Sequence, residues 1–264
     1  MKAPFMKMIA ILFAATTLTT VAKADDKPSA PDKDFHLYLL IGQSNMAGRG
    51  KVDAESAKTN PKVLMLTKQL TWELAKDPLH FDKSAAGVGP GLAFGRSMSK
   101  ANPKIKIGLV PCAVGGTSIK LWTPGAADSA TKTHPYDDML KRVQEARKAG
   151  VFKGIIWHQG ESDLNSSEKY GEQLTELIAR LRKDLDAADI PFVSGEIAIF
   201  KPERADVTAK FNNVLHELEG KVDKYSWVSA EKLKDGGDKL HLNAESAREL
   251  GKRYAEKMLA LQKK

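Results

Sequence analysis

The chain has 264 residues, 42% hydrophobic, 28% charged and 7% aromatic, a balance that excludes collagen, coiled coil and wholesale disorder and suits one large core or two small ones. Its 41 Lys and Arg against 33 Asp and Glu give a formal net charge of +8 at pH 7. Taken alone, that sign would suit a nucleic-acid or membrane partner.

Residues 1–24 weaken that reading. Lys2 and Lys7 form a basic start, Met8 to Thr20 carries no charge, and Ala22-Lys23-Ala24 is a small-x-small cleavage site, the three parts of a secretory signal peptide. A bilayer span needs about 20 apolar residues, and this run is too short and too threonine-rich for one. Cleavage after Ala24 removes three lysines and no acid, so +8 becomes +5. The expected product is a secreted or periplasmic protein with no membrane partner. Residues 25–34, polar and with two prolines, read as a disordered leader to a single domain over residues 35–264.

In the domain, short runs of β-formers alternate with longer amphipathic segments. Strands are predicted over residues 35–41, 63–66, 105–110, 154–157, 192–197 and 225–229, and helices over residues 91–100, 136–149, 167–187, 205–220 and 244–262. Alternation of this kind predicts a parallel sheet covered on both faces. Ligands of such sheets bind beyond the carboxyl ends of the strands, so the residues just after each strand matter most.

After the first strand, Gly42-Gln43-Ser44-Asn45-Met46 fits either a nucleophile elbow, with Met46 breaking the G-x-S-x-G pattern, or a Ser-Asn turn that caps the next segment. The third strand leads to Cys112, the only cysteine, which cannot close an internal disulfide and reads as a small buried hydrophobe. Gly115-Gly116 follows, where backbone can approach a ligand. The fourth strand leads into His158-Gln159-Gly160-Glu161-Ser162-Asp163, a density of polar groups that must be paired or solvated. The last strand leads to Asp238 and His241, three apart in a turn, where the carboxylate can take the Nδ1 proton and leave Nε2 for a nucleophile; Asn243 can cap the helix that follows.

These segments, GQSNMAG at 42–48, GGTSI at 115–119, HQGESD at 158–163 and DKLH at 238–241, resemble the ordered blocks of the SGNH-type hydrolases, specifically the carbohydrate esterase family 6 and sialate O-acetylesterase-like branch. Trp72, Asp77-Pro78-Leu79-His80 and Gly87-Val88-Gly89-Pro90-Gly91 are similar too. The resemblance implies a flavodoxin-like three-layer α/β/α domain that hydrolyses acetyl esters on sugars with no metal and no other cofactor. It implies Ser44 as nucleophile, His241 as general base and then acid, and Asp238 as the group that orients His241, with Glu161 able to replace or share that last task. The oxyanion would be held by the N–H groups of Ser44 and of Gly115 or Gly116, with the Gln159 side-chain amide as third donor.

Around these, Gln43, Asn45, Trp122 and His80 are expected to contact the substrate. Trp72 and Trp122 flank the expected mouth, although core packing is the commoner fate of tryptophan. His80 and His158 lack the ligand spacing of a metal site with Glu161 and Asp163. The remaining cations are interleaved with acids along the helices, the pattern of solvated faces rather than of nucleic-acid binding. The expected partner is an acetylated carbohydrate, acetylated xylan first, and a monomer is compatible with every feature. The rival readings are a sialate O-acetylesterase, a lipid or thioester hydrolase, and a non-catalytic sugar-binding module.

Overall fold

The computed structural model describes Met1 and residues 30–263, so the expected signal peptide and most of the expected leader lie outside the described residues. Strand β1 (Asp32–Gly42) explains the layering. Its alternating side chains are apolar on both sides: Leu37, Leu39 and Ile41 enter one core cluster, Tyr38 and Leu40 the other. A strand of this kind has to be covered on both faces. It begins three residues earlier than expected, inside the reading of a disordered leader. Asp32 is tied down there by its N–H to the Ala149 carbonyl (3.0 Å) and by an ion pair with Lys106 (2.7 Å).

Seven strands form one sheet among the described residues: β1 with β2 (Val63–Leu66), β3 (Trp72–Leu74), β4 (Lys106–Pro111), β5 (Gly150–His158), β6 (Phe192–Gly195) and β7 (Tyr225–Val228). The order is β3-β2-β4-β1-β5-β6-β7, and all neighbours pair parallel except β3, which is antiparallel to β2. A single turn, α1 (Ser44–Ala47), follows β1. Helices α2 (Pro90–Ala101) and α6 (Ala244–Lys263) cover one face through Phe94, Met98, Leu250, Tyr254 and Met258. Helices α3 (Pro135–Ala146), α4 (Ser167–Asp184) and α5 (Ala205–Leu218) cover the other through Met139, Val143, Leu177, Leu181 and Phe211. Gly251 lets α6 lie directly on α2, because a Cβ there would sit 2.2 Å from the Pro90 carbonyl oxygen.

The expected α/β/α sandwich is therefore the fold, with differences at element ends. β5 starts at Gly150 rather than 154 because Gly150 and Val151 pair with Asp32 and His36 of the lengthened β1. β6 stops at Gly195 rather than 197 because the Asn212 side chain takes both backbone groups of Ile197, at 2.9 and 3.0 Å. The short β3 and α1 carry no periodicity from which they could have been read. The strand order reverses at β1, so the loops after β1, β4 and β5 meet at the switch point where such sheets bind ligands.

Candidate active site

Ser44 reaches this point through a backbone that only glycine permits. Gly42 has φ +131°, and a Cβ on it would lie 2.1 Å from the His158 carbonyl oxygen. The chain leaves β1 with Gln43 N–H bound to that carbonyl (2.9 Å) and turns at once into α1, where Met46 and Ala47 donate to the Gln43 oxygen. Ser44 is the first residue of the turn, so its own N–H and that of Asn45 have no backbone partner.

The loop between β7 and α6 brings the partners. Asp235 and Leu242 form an isolated bridge across its neck, Gly236 N–H donates to the His241 oxygen (2.8 Å), and Asn243 caps α6 through Ser246 N–H (2.8 Å), as read from the sequence. Within the loop, Asp238 Oδ1 accepts the N–H groups of Leu240 and His241 at 2.9 and 2.8 Å. Its Oδ2 lies 2.6 Å from His241 Nδ1, and His241 Nε2 lies 3.1 Å from Ser44 Oγ. Desolvation acts to raise the Asp238 carboxyl, but the hydrogen bonds from His241 and Leu240 outweigh it and hold the group at about 2. Carboxylate, imidazole and hydroxyl thus stand in one hydrogen-bonded series, able to draw the serine proton onto Nε2.

Glu161 is not part of that series. Its Oε1 accepts Asn45 Nδ2 at 2.5 Å, and Asn45 also donates to the Leu240 carbonyl (3.2 Å) and accepts from Leu242 N–H (3.0 Å). Asn45 therefore grips the backbone on both sides of His241, and Glu161 steadies Asn45. The alternative in which Glu161 replaces Asp238 or shares its task is corrected to this indirect role. Asn45, expected on the substrate, has its side chain engaged within the protein and is 5% exposed.

The donor groups also differ from expectation. Gly115 N–H is bound to Asp82 Oδ2 (2.8 Å), and the Gly115 carbonyl accepts from Lys83 Nζ (2.8 Å), so Gly115 offers no free donor. Gly116 is exposed and its N–H is unengaged among the described residues. Gln159 is 0% exposed. Its Nε2 lies 3.0 Å from Gln43 Oε1, 3.0 Å from the Thr117 carbonyl and 2.6 Å from Asp163 Oδ2, while its Oε1 accepts from Tyr170 (2.8 Å). A buried amide has to satisfy its hydrogens where it lies. Gln159 is therefore corrected from an oxyanion donor to the knot that fixes the loops after β1, β4 and β5 to one another.

Two other expected contacts move inward. Trp122 is fully buried, with Nε1 on Thr117 Oγ1 (3.2 Å) and its ring edge-on to Trp157 of β5 (5.3 Å), because the short helical turn at Ile119–Leu121 turns it into the core. Trp72 packs edge-on against Phe35, at the far end of β1 from Ser44. His80 is buried with Nε2 unpartnered, and desolvation lowers its pKa to about 4, so it is a neutral core imidazole rather than a substrate contact. Gln43 is buried, 3% exposed; its Oε1 is held by Gln159 and Ser162 N–H, and its Nε2 bonds to no described residue. Cys112 lies in the core, its thiol pushed up to about 11 by burial. Among the described residues no three His, Cys, Asp or Glu side chains gather as metal ligands.

One pair that braces the site escaped the sequence reading. Arg49 donates to the Gly48 carbonyl at the end of α1 (2.7 Å) and to Asp82 Oδ2 (2.8 Å), the oxygen that also receives Gly115 N–H. The buried pair Arg49–Asp82 thus couples the Ser44 turn to the glycine loop. Lone charged residues 33 positions apart give no local signal.

Comparison with known proteins places this geometry in context. The sequence profile of a carbohydrate esterase family described as sialic acid-specific acetylesterase matches residues 34–260. A probable carbohydrate esterase of Arabidopsis thaliana is 34% identical over 91% of this chain and 97% of its own. The crystal structure of that Arabidopsis protein superposes with a TM-score of 0.75 over 85% of this chain and 98% of its own. NanS (17% identity, TM-score 0.67, 89% of this chain and 99% of its own) shares the fold. So does a carbohydrate acetylesterase from Xanthomonas citri (19%, 0.69, 86% of this chain and 56% of its own).

Proposed function

The chain belongs to the sialic acid-specific acetylesterase family of carbohydrate esterases, and on that premise we propose that it is an exported serine esterase that removes O-acetyl groups from polysaccharide, acetylated xylan first. The observation that carries the serine mechanism is the series Asp238 Oδ2–His241 Nδ1 at 2.6 Å and His241 Nε2–Ser44 Oγ at 3.1 Å. Ser44 Oγ attacks the acetyl carbonyl as Nε2 takes its proton. Asp238 keeps the other proton on Nδ1 and stabilises the imidazolium.

The tetrahedral oxyanion is held by the N–H groups of Ser44 and Gly116, each such donor worth about 3 kcal/mol of barrier. His241 then returns the proton to the departing sugar oxygen. Water, activated by the same imidazole, frees acetate from the acyl-enzyme and restores Ser44.

Acetate release from acetylated xylan and from 9-O-acetyl sialic acid, by the mature protein and its Ser44→Ala variant, tests the reading. Release from xylan that vanishes in the variant supports it. The family description favours one second reading, sialate O-acetylesterase, and release from the sialic acid ester alone would establish that substrate instead. Labelling of the wild type by a serine-directed fluorophosphonate, lost in Ser44→Ala, separates an esterase from a sugar-binding module that has kept the pocket.

A further inference from the structure

The peptide that carries the Gly116 N–H lies at the centre of a turn with two accessible states. Val114, Gly115, Gly116 and Thr117 form a four-residue turn closed by the Thr117 N–H on the Val114 carbonyl (3.4 Å), and Gly116, in its third position, has φ +87°. A positive φ there marks a type II turn, and a type I turn joins the same ends with its central peptide turned over. With glycine at both central positions, sterics forbid neither state. The flip exchanges the directions of the Gly115 carbonyl and the Gly116 N–H and leaves the flanking chain in place.

The flanking groups are fixed independently of that peptide. Val114 N–H donates to the Gly42 carbonyl (3.0 Å), Gly115 N–H to Asp82 Oδ2 (2.8 Å), and Ser162 Oγ to the Gly116 carbonyl (3.3 Å). None of these bonds engages the Gly115–Gly116 peptide itself. Its N–H has no partner among the described residues, and its carbonyl has one, the Lys83 amine at 2.8 Å. Lys83 is exposed, and this carbonyl is the only partner of its amine among the described residues. Neighbouring residues of opposite charge thus grip successive peptides: Asp82 takes the N–H of one, Lys83 the carbonyl of the next. A cation on a carbonyl also polarises the whole amide and strengthens its N–H as a donor.

We propose that Lys83 is a positioning residue for ester hydrolysis: its amine locks the Gly115–Gly116 peptide in the type II orientation, which aims the Gly116 N–H at the oxyanion. No bond to Lys83 forms or breaks in the reaction. The proposal rests on the esterase reading for what that N–H stabilises. It adds to that reading the group that keeps the donor in place between turnovers.

The test compares the full-length mature protein with its Lys83→Met and Lys83→Arg variants. Methionine keeps an unbranched stem without the donor, and arginine keeps a cationic donor. On p-nitrophenyl acetate, Lys83→Met should lower kcat about tenfold and leave KM unchanged. That is less than the roughly 10²–10³-fold cost of removing a donor outright, because part of the population keeps the type II turn. Lys83→Arg should recover most of the loss.

The turn itself is read by nuclear Overhauser effects on protein with isotope-labelled glycine, without any turnover. A type II turn sets the Gly115 α-protons against the Gly116 amide proton, and a type I turn sets the Gly115 and Gly116 amide protons together. The wild type should show the first contact and Lys83→Met a growing share of the second, with kcat falling in step across the three proteins. An unchanged kcat in Lys83→Met overturns the proposal, as does a lowered kcat with the turn still type II. A turn that flips in Lys83→Met, in a protein that releases acetate from no ester, would uphold the lock and sink the esterase reading.

Discussion

The Asp238–His241 loop and the cluster around Gln159 are both polar, both lie at the carboxyl edge of the sheet, and are held in opposite ways. The Asp238 side chain is 52% exposed and that of His241 22%, and the two satisfy each other across three residues of one turn. Gln159 is wholly buried and is satisfied by groups from the loops after β1, β4 and β5 and from α4. Water near the first region leaves its atoms free to exchange partners, including a substrate. In the second, every donor left unpaired would cost about 1–3 kcal/mol, so the donors are committed and the cluster acts as a frame.

That contrast can be broken most forcefully at the serine. Ser44→Ala should lower kcat/KM on an acetyl ester by roughly a million-fold while the melting temperature stays put. Next comes the acid. Asp238→Asn should cost about 10⁴-fold through a mis-held histidine tautomer. Glu161→Gln, which still offers Asn45 an acceptor, should cost about tenfold, the scale of one hydrogen bond weakened at a distance. Rates measured on the two variants in the opposite ranking would return the orienting role to Glu161.

Gln159→Ala probes the other region and should fail differently. Removing the amide takes a buried donor from Gln43 Oε1, the Thr117 carbonyl and Asp163 Oδ2 and leaves a cavity, so urea unfolding should show a loss of about 3 kcal/mol, with a smaller fall in kcat as the loops relax. A variant with unchanged stability and a kcat lowered by about 10²–10³ would make Gln159 an oxyanion donor after all.

How far the sequence could be read follows the same division. Ser44, Asp238, His241 and Asn243 were legible because their relations are local: a glycine two residues before a serine at a strand end, a three-residue spacing, a cap before a helix. The alternation of short apolar runs with amphipathic segments announced a sheet covered on both faces. Gln159, Gly115 and Trp122 were misassigned because polarity after a strand marks a loop as important without saying which side chains face outward. For Trp122 the sequence already set core packing, the commoner fate of tryptophan, beside the substrate contact, whereas nothing in it separated Gly115 from Gly116. The Gly115 donor is taken by Asp82 through a contact that only the assembled fold creates.

The last expected effect compares two aspartates and isolates burial from partnership. Asp238 is held at about 2 by its hydrogen bonds, whereas burial, against the pull of Arg248, Arg96 and the nearby Gly89 N–H, pushes Asp77 up to about 7. In the unfolded chain Asp77 returns to its ordinary value of 3.8. Between those two values the folded state carries a proton that the unfolded state has lost, so stability should fall as pH rises across that window and reach its floor above about 7. The sign is opposite for Asp238, whose depressed value favours the fold above 3.8 and loses that support as pH falls toward 2. One coupled proton gives a slope of at most about 1.4 kcal/mol per pH unit. Asp77→Asn should flatten the curve between pH 4 and 7 and leave the variant the more stable protein at pH 8, as read by urea midpoints at each pH. An unchanged slope in the variant would mean that Asp77 is ionised in the fold and has found a partner, and burial alone would then no longer account for the contrast between the two carboxylates.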